Sequence, residues 1–253
     1  MWLLLAVVVV VGISIAVGAI LLANRAMPEV GKEHNSTLSP FISVVGLVYG
    51  SLLGFTVVVA WQQFSSAQAV VANEASTLTT MYRQTVAMPE PEQTQLRQLL
   101  RQYASAVAGA EWDGQSSGRA SDSAGAALTG MYRVVGSQPP GVASGPINQA
   151  FLNQVTVLAS DRTTRIIDAK PRIPGLLWAV LIFGGTVLVA ITGFLRMGNT
   201  LGHAVVSSTI AILLGLLLCI PFLLDHPFGT HRGITPETFQ RSVEVFDAVD
   251  RGT

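Results

Sequence analysis

Glu74, Glu111, Arg162 and Arg165 are the residues of this chain whose types and placing suggest chemistry. Side chains three apart share one face of a helix, so the two guanidinium groups can act together. They either pair with Glu74 and Glu111 inside a helical domain or attract anions to the mouth of a pathway through their field. Pairing is favoured for one arginine and the role of the other stays open. Glu74, with Arg83 nine residues on, either pairs with a cation from the 162–172 region or joins a ring of carboxylates around a vestibule, and pairing is again favoured. Covalent chemistry has little to work with. There is no H-E-x-x-H, phosphate loop or paired acidic motif, and no nucleophile has a base beside it. Asp225, His203, His226 and His231 make no metal-ligand spacing, and the single Cys219 allows no intrachain disulfide and no cysteine metal site. The expectation is a protein without enzymatic activity, metal or cofactor.

The elements that must position these residues are set by composition. Half of the 253 residues are hydrophobic and 12% are charged, against roughly 25% charged in soluble domains, and the mean hydropathy is +0.50. A formal net charge of zero provides no field to gather nucleic acid. About 20 apolar helical residues cross the roughly 30 Å hydrocarbon layer. Residues 2–23, 41–60, 175–195 and 201–224 meet that length without an Asp, Glu, Lys or Arg. The first is read as a retained span, because it lacks a basic start and exceeds a signal peptide's apolar run. Span two continues as a helix through Val86, with Ala67, Val70, Val71, Ala75, Leu78 and Tyr82 at helical spacing, until Met88 and Pro89 end it. Residues 90–110 form a second amphipathic helix with Leu96, Leu99, Leu100, Tyr103 and Val107 on one face. Residues 113–125 read as a flexible loop, 138–146 as a turn and 147–169 as a third helix. Thr235 and Pro236 suggest an N-cap and first-turn proline for a short helix striped by Phe239, Val243 and Phe246.

The predicted fold is an all-α integral membrane protein with four transmembrane helices and a helical cytoplasmic domain inserted between helices two and three. Its parts are spans one and two (1–63), the cytoplasmic domain (64–173), spans three and four (174–224) and a C-terminal tail with a short helix (225–253). Near the span ends, Arg83, Arg162, Arg165, Lys170, Arg172, Arg232 and Arg241 lie on one face, and Arg25, Lys32 and Arg196 on the other. Seven against three puts both termini and the domain inside, at the plasma (inner) membrane. The cations at 162–172 then read mainly as a cytoplasmic stop at the mouth of span three.

The sequence resembles a bacterial bestrophin-like family of unknown function over almost its whole length. The resemblance rests on EASTL with Tyr-Arg from Glu74 to Arg83, on Glu111-Trp112, on Arg162 and Arg165 followed by IPGLLW, and on Asp225, Pro227 and Phe228 within LDHPFG at 224–229. It implies a pentameric anion channel with four membrane segments, a large helical part between segments two and three, and a pore along segment two. Span two lacks the aromatic neck of those channels, since Tyr49, Phe55, Trp61 and Phe64 are scattered over several faces.

Pore-lining candidates on span two are Gly46, Gly50 and Gly54, at i, i+4 and i+8, with Ser43 and Ser51. The glycine stripe either seats a neighbouring span, the favoured reading, or leaves room at an oligomer axis. Serines and threonines in spans usually bond back to their own helix. Asp225 is expected to be a structural anchor. No span holds a charge, which disfavours a proton-coupled carrier and leaves a passive one open. The reading is a homo-oligomer in the bilayer that passes small ions, anions first. The alternative is a non-conducting scaffold or sensor that recruits partners through its cytoplasmic helices.

Overall fold

The computed structural model describes residues 2–26, 33–115, 119–139, 145–228 and 233–252. Lys32, Gly229, His231 and Arg232 lie outside them. The regular elements are all helical, and among the described residues there is no strand. The chain forms two compact units, 1–62 with 173–224 and 63–172 with 225–253.

The first unit holds four helices long and apolar enough to cross a membrane. They are α1 (Trp2–Ala26), the first part of α2 (His34–Gln84), the helix at Gly175–Thr192 and the helix at Thr200–Leu224. The last two are α7 and α8. Lipid supplies no hydrophobic drive between helices, so small residues decide the contacts. Ala16, Val189 and Ala211 form one buried cluster. A Cβ on Gly193 would stand 2.8 Å from the backbone of Ala19, so only glycine allows α1 to approach the end of α7 this closely. Tyr49 and Leu53 pack with Leu181 and Leu188, and the Tyr49 hydroxyl donates to the Leu181 carbonyl at 3.0 Å. Phe55, Leu176 and Phe183 are more than 70% exposed, the arrangement of apolar faces that meet lipid.

A polar clamp closes one end of this unit. The Asn35 amide donates to the Arg196 carbonyl at 2.6 Å and accepts from the Arg196 N–H at 2.8 Å. The Arg196 guanidinium donates to the Ala23 carbonyl at 2.9 Å and to the Asn24 side chain, satisfying carbonyls that the end of α1 leaves open. His34 and His203 donate to the carbonyls of Phe194 and Thr192, each at 3.0 Å. Asn199 caps α8 by accepting from the Leu201 N–H at 2.9 Å. The expected span 175–195 is shortened here, because α7 ends at Thr192 and residues 193–195 turn.

The second unit starts with the rest of α2, which a 3-10 turn at Thr85–Ala87 ends. It continues with α3 (Glu92–Ala106), a π-helical segment at Val107–Glu111, α4 (Trp112–Gln115), α5 (Asp122–Gly136), α6 (Pro146–Asp168) and α9 (Glu237–Arg251). Its core joins residues of the predicted stripes, Leu78 and Tyr82 of α2, Leu96, Leu100 and Tyr103 of α3 and Phe239 and Phe246 of α9, with Phe151, Val155 and Leu158 of α6.

Two expectations are corrected. The stretch 113–125 is not one flexible loop: α4 runs into it and α5 starts at Asp122. Gly125, Gly130 and Gly136 dilute the helical signal of α5, yet Ala124, Ala127, Leu128, Met131 and Val135 make a buried stripe. Thr235 does not cap α9. Pro236 holds the cap position and the helix lacks a side-chain cap.

Candidate functional site

Three helical elements carry the four charged residues to the second unit's interior. Glu74 lies on the buried side of α2 with Val71, Ala75 and Leu78. Arg162 and Arg165 lie one turn apart on α6. Glu111 closes the π-helical segment, where the backbone departs from helical angles at Gly109 (φ −105°, ψ −108°). A π segment adds one residue to a turn and re-aims the side chains after it, here Glu111 and Trp112.

Arg165 and both acids are 0% exposed. Arg165 donates through Nε to Glu74 Oε2 at 2.6 Å, and through Nη2 to Glu74 Oε1 at 3.2 Å and Glu111 Oε1 at 2.6 Å. Its Nη1 donates to Gln115 Oε1. Its guanidinium also lies 5.8 Å from the ring centres of Trp112 and Phe239, within cation–π range. Arg162 donates to Glu111 at 3.0 and 2.5 Å and to the Ser121 carbonyl at 2.9 Å. Tyr103 donates to Glu74 Oε1 at 2.7 Å, and the Ser121 N–H to Glu111 Oε2 at 2.7 Å.

Two acids and two arginines make a neutral set. Burial pushes the Glu74 carboxyl above its usual range, against the pull of Arg165 and the Tyr103 hydroxyl. Burial also pushes on Glu111, but bonds from Arg162, Arg165 and the Ser121 N–H prevail and hold it below the usual range. Burial and the adjacent Glu74 push the Tyr103 hydroxyl well up. Burial works against the charge on Arg165, yet its two acids hold it more firmly protonated than usual.

The structure thus brings together Glu74, Glu111, Arg162, Arg165 and, edgewise, Trp112. Both arginines are paired, where the sequence predicts pairing for one and leaves the role of the other open. Trp112 meets the Phe228 ring at 5.5 Å and 82°. The Asp225 carboxylate accepts from the Arg172 N–H at 2.9 Å, and the Pro227 carbonyl from the Ile234 N–H at 2.9 Å. These three motif residues hold a chain segment in place. Arg83 is exposed on the other side of α2 and does not join the cluster. Sequence reasoning missed Gln115, Ser121 and the clamp at Asn35 and Arg196. Nothing in their spacing marked them, because their partners lie between 10 and 173 residues away. Among the described residues, no group of His, Cys, Asp and Glu could hold a metal ion.

The candidate pore residues belong to the first unit. Gly50, Gly54, Ser43 and Ser51 are exposed and Gly46 is half-buried. A Cβ on any of the three glycines would meet nothing within 4 Å. Among the described residues no span of this chain is seated on the stripe; Tyr49, Leu53, Thr56 and Ala60 take the inward face instead. Ser43 donates to the Ser39 carbonyl at 3.0 Å and Thr56 to the Leu52 carbonyl at 2.9 Å, each bonding back to its own helix.

Four apolar helices and a helical second unit built on buried ion pairs define an all-helical membrane protein. A family profile described as Bestrophin-like domain matches residues 6–239, and the chain belongs to that family. The crystal structure of a bacterial bestrophin homolog from Klebsiella pneumoniae is similar at TM-score 0.74 and 13% identity, covering 96% of this chain and 98% of that one. A point mutant of that homolog is similar at TM-score 0.75 and 12% identity, covering 97% and 98%. A crystal structure described as a membrane protein reaches TM-score 0.75 at 13% identity, covering 96% and 97%. No curated protein matches the sequence. Identities this low establish a common fold.

Proposed function

We propose that this chain is the subunit of a homo-oligomeric passive channel for small ions, anions first, with α2 at the oligomer axis. The observation that carries the reading is the uncovered stripe of Gly46, Gly50 and Gly54 in a chain of the Bestrophin-like family. The stripe is open to another copy or to a permeating ion. From residue 35 to residue 73, α2 has no charged side chain, so selectivity along it comes from small dipoles, hydroxyls and constrictions. The second unit and both termini lie on the cytoplasmic side. Removing the paired Arg162 and Arg165 from the seven cations of that face leaves five against three, and the direction holds. The scaffold alternative loses its main support, because the apolar stripes of α3 and α6 are buried in the unit's own core and are not free for partners.

The test is size measurement in detergent followed by recording in planar bilayers under opposed salt gradients. An oligomer whose reversal potential follows chloride is expected, with conductance lost in Gly50→Trp. A monomer without conductance under either gradient refutes the reading.

A further inference from the structure

The turn that joins α2 to α3 is flanked by three buried acceptor oxygens that receive no hydrogen bond from the described residues: Gln84 Oε1 and both carboxylate oxygens of Glu92. Glu92 opens α3 and is 1% exposed. It is enclosed by its own chain, so a second copy cannot reach it while the unit stays closed. Among the described residues no ion pair reaches it, and the charged groups of the elements packed on α3 are paired or exposed, Arg83 of α2 and Glu237, Arg241, Glu244 and Arg251 of α9 being exposed. Residues 85–87 carry no charge. Asp247 and Asp250 of α9 pair with Arg97 and Arg101 of α3. Glu111 is held by Arg162 and Arg165. Asp122 and Arg133 of α5 are exposed, and Glu90 is exposed and accepts from the Thr94 hydroxyl at 2.9 Å. Burial alone pushes the Glu92 carboxyl up, with no neighbouring charge contributing. An ionised carboxylate enclosed without a donor is far less stable than the neutral acid.

We propose that Glu92, enclosed at the start of α3 without a donor to either oxygen, is a proton-binding site of the second unit, and that losing the proton loosens the start of α3. The folded chain holds the proton more tightly than the unfolded chain. The resulting stability is fully present below the unfolded value, about 4.3, and is lost as pH rises through the higher folded value. Within that window the folded-to-unfolded ratio falls by up to about tenfold per pH unit.

The test uses the full-length protein in nanodiscs, titrated from about pH 4 to pH 9 by infrared difference spectroscopy and by thermal melting. A protonated-carboxyl stretch that persists above about pH 5.5 and is missing in Glu92→Gln is expected. Wild-type melting falls relative to Glu92→Gln over the range in which that band disappears. If Glu92→Gln does not fold, Glu92→Asp keeps the assignment readable, because the band of an aspartic acid is displaced from that of a glutamic acid. Absence of a variant-sensitive band above about pH 5.5, or the same pH profile of melting in both proteins, overturns the proposal.

Discussion

Replacing Arg165 by Met removes the one side chain among the described residues that bonds to both Glu74 and Glu111. The volume is nearly kept, so packing changes little and electrostatics decides the outcome. Glu74 loses both of its arginine bonds, at 2.6 and 3.2 Å, and keeps only the Tyr103 hydroxyl. Glu111 keeps Arg162 and the Ser121 N–H. One carboxylate at 0% exposure is left without a cation, and breaking a buried pair in this way costs about 3–5 kcal/mol. At roughly 2–4 °C per kcal/mol for a chain of this size, melting of the full-length protein in detergent falls by about 6–20 °C. Adding Glu74→Gln to Arg165→Met removes the stranded charge and restores part of the loss, so the two substitutions are non-additive by about 1–3 kcal/mol. A melting temperature for Arg165→Met within about 2 °C of wild type, or strict additivity in the double variant, refutes the view that this cluster holds the second unit together.

Other outcomes follow from the same geometry. Glu111 is held below the usual carboxylate range, so its stabilisation is present above the unfolded value of about 4.3 and lost as pH falls through the lower folded value; acid melting curves of Glu111→Gln should be flatter than those of wild type. Asp250 accepts from Tyr82, Arg97 and Arg101 at 2.7–2.9 Å near the surface, so Asp250→Asn costs about 0.5–1 kcal/mol and the effect shrinks in high salt. Phe246 is fully buried, with its ring stacked 4.1 Å from Tyr82, and Phe246→Ala costs about 3–5 kcal/mol regardless of salt. Gly50→Ala meets no atom of its own chain whereas Gly193→Ala meets the Ala19 backbone at 2.8 Å; melting should be unchanged in the first and lowered by about 1–3 kcal/mol in the second.

The four apolar helices, the long α2 and the helices at 92–106 and 146–168 were legible in the sequence, because apolar length and helical period are local properties. So was the pool of partners for Glu74 and Glu111, since a buried acid needs a cation and few cations lie near. The helix at 122–136 was not legible. Its glycines lower local propensity, and only packing against the core compensates. The orientation of the glycine stripe was hidden for a related reason: Tyr49 and Leu53 claim the inward face of α2 through contacts with residues over 120 positions away.

Sequence alone determined that four segments are too apolar to fold in water and that the charges gather between and after them. That outcome follows from the transfer free energy of side chains, summed along the chain. Only the tertiary structure decided that Arg162 and Arg165 both turn inward and that Glu92 is enclosed without a donor. Desolvation and hydrogen bonding depend on which groups the fold brings within 3 Å of each other, and no local pattern encodes that distance.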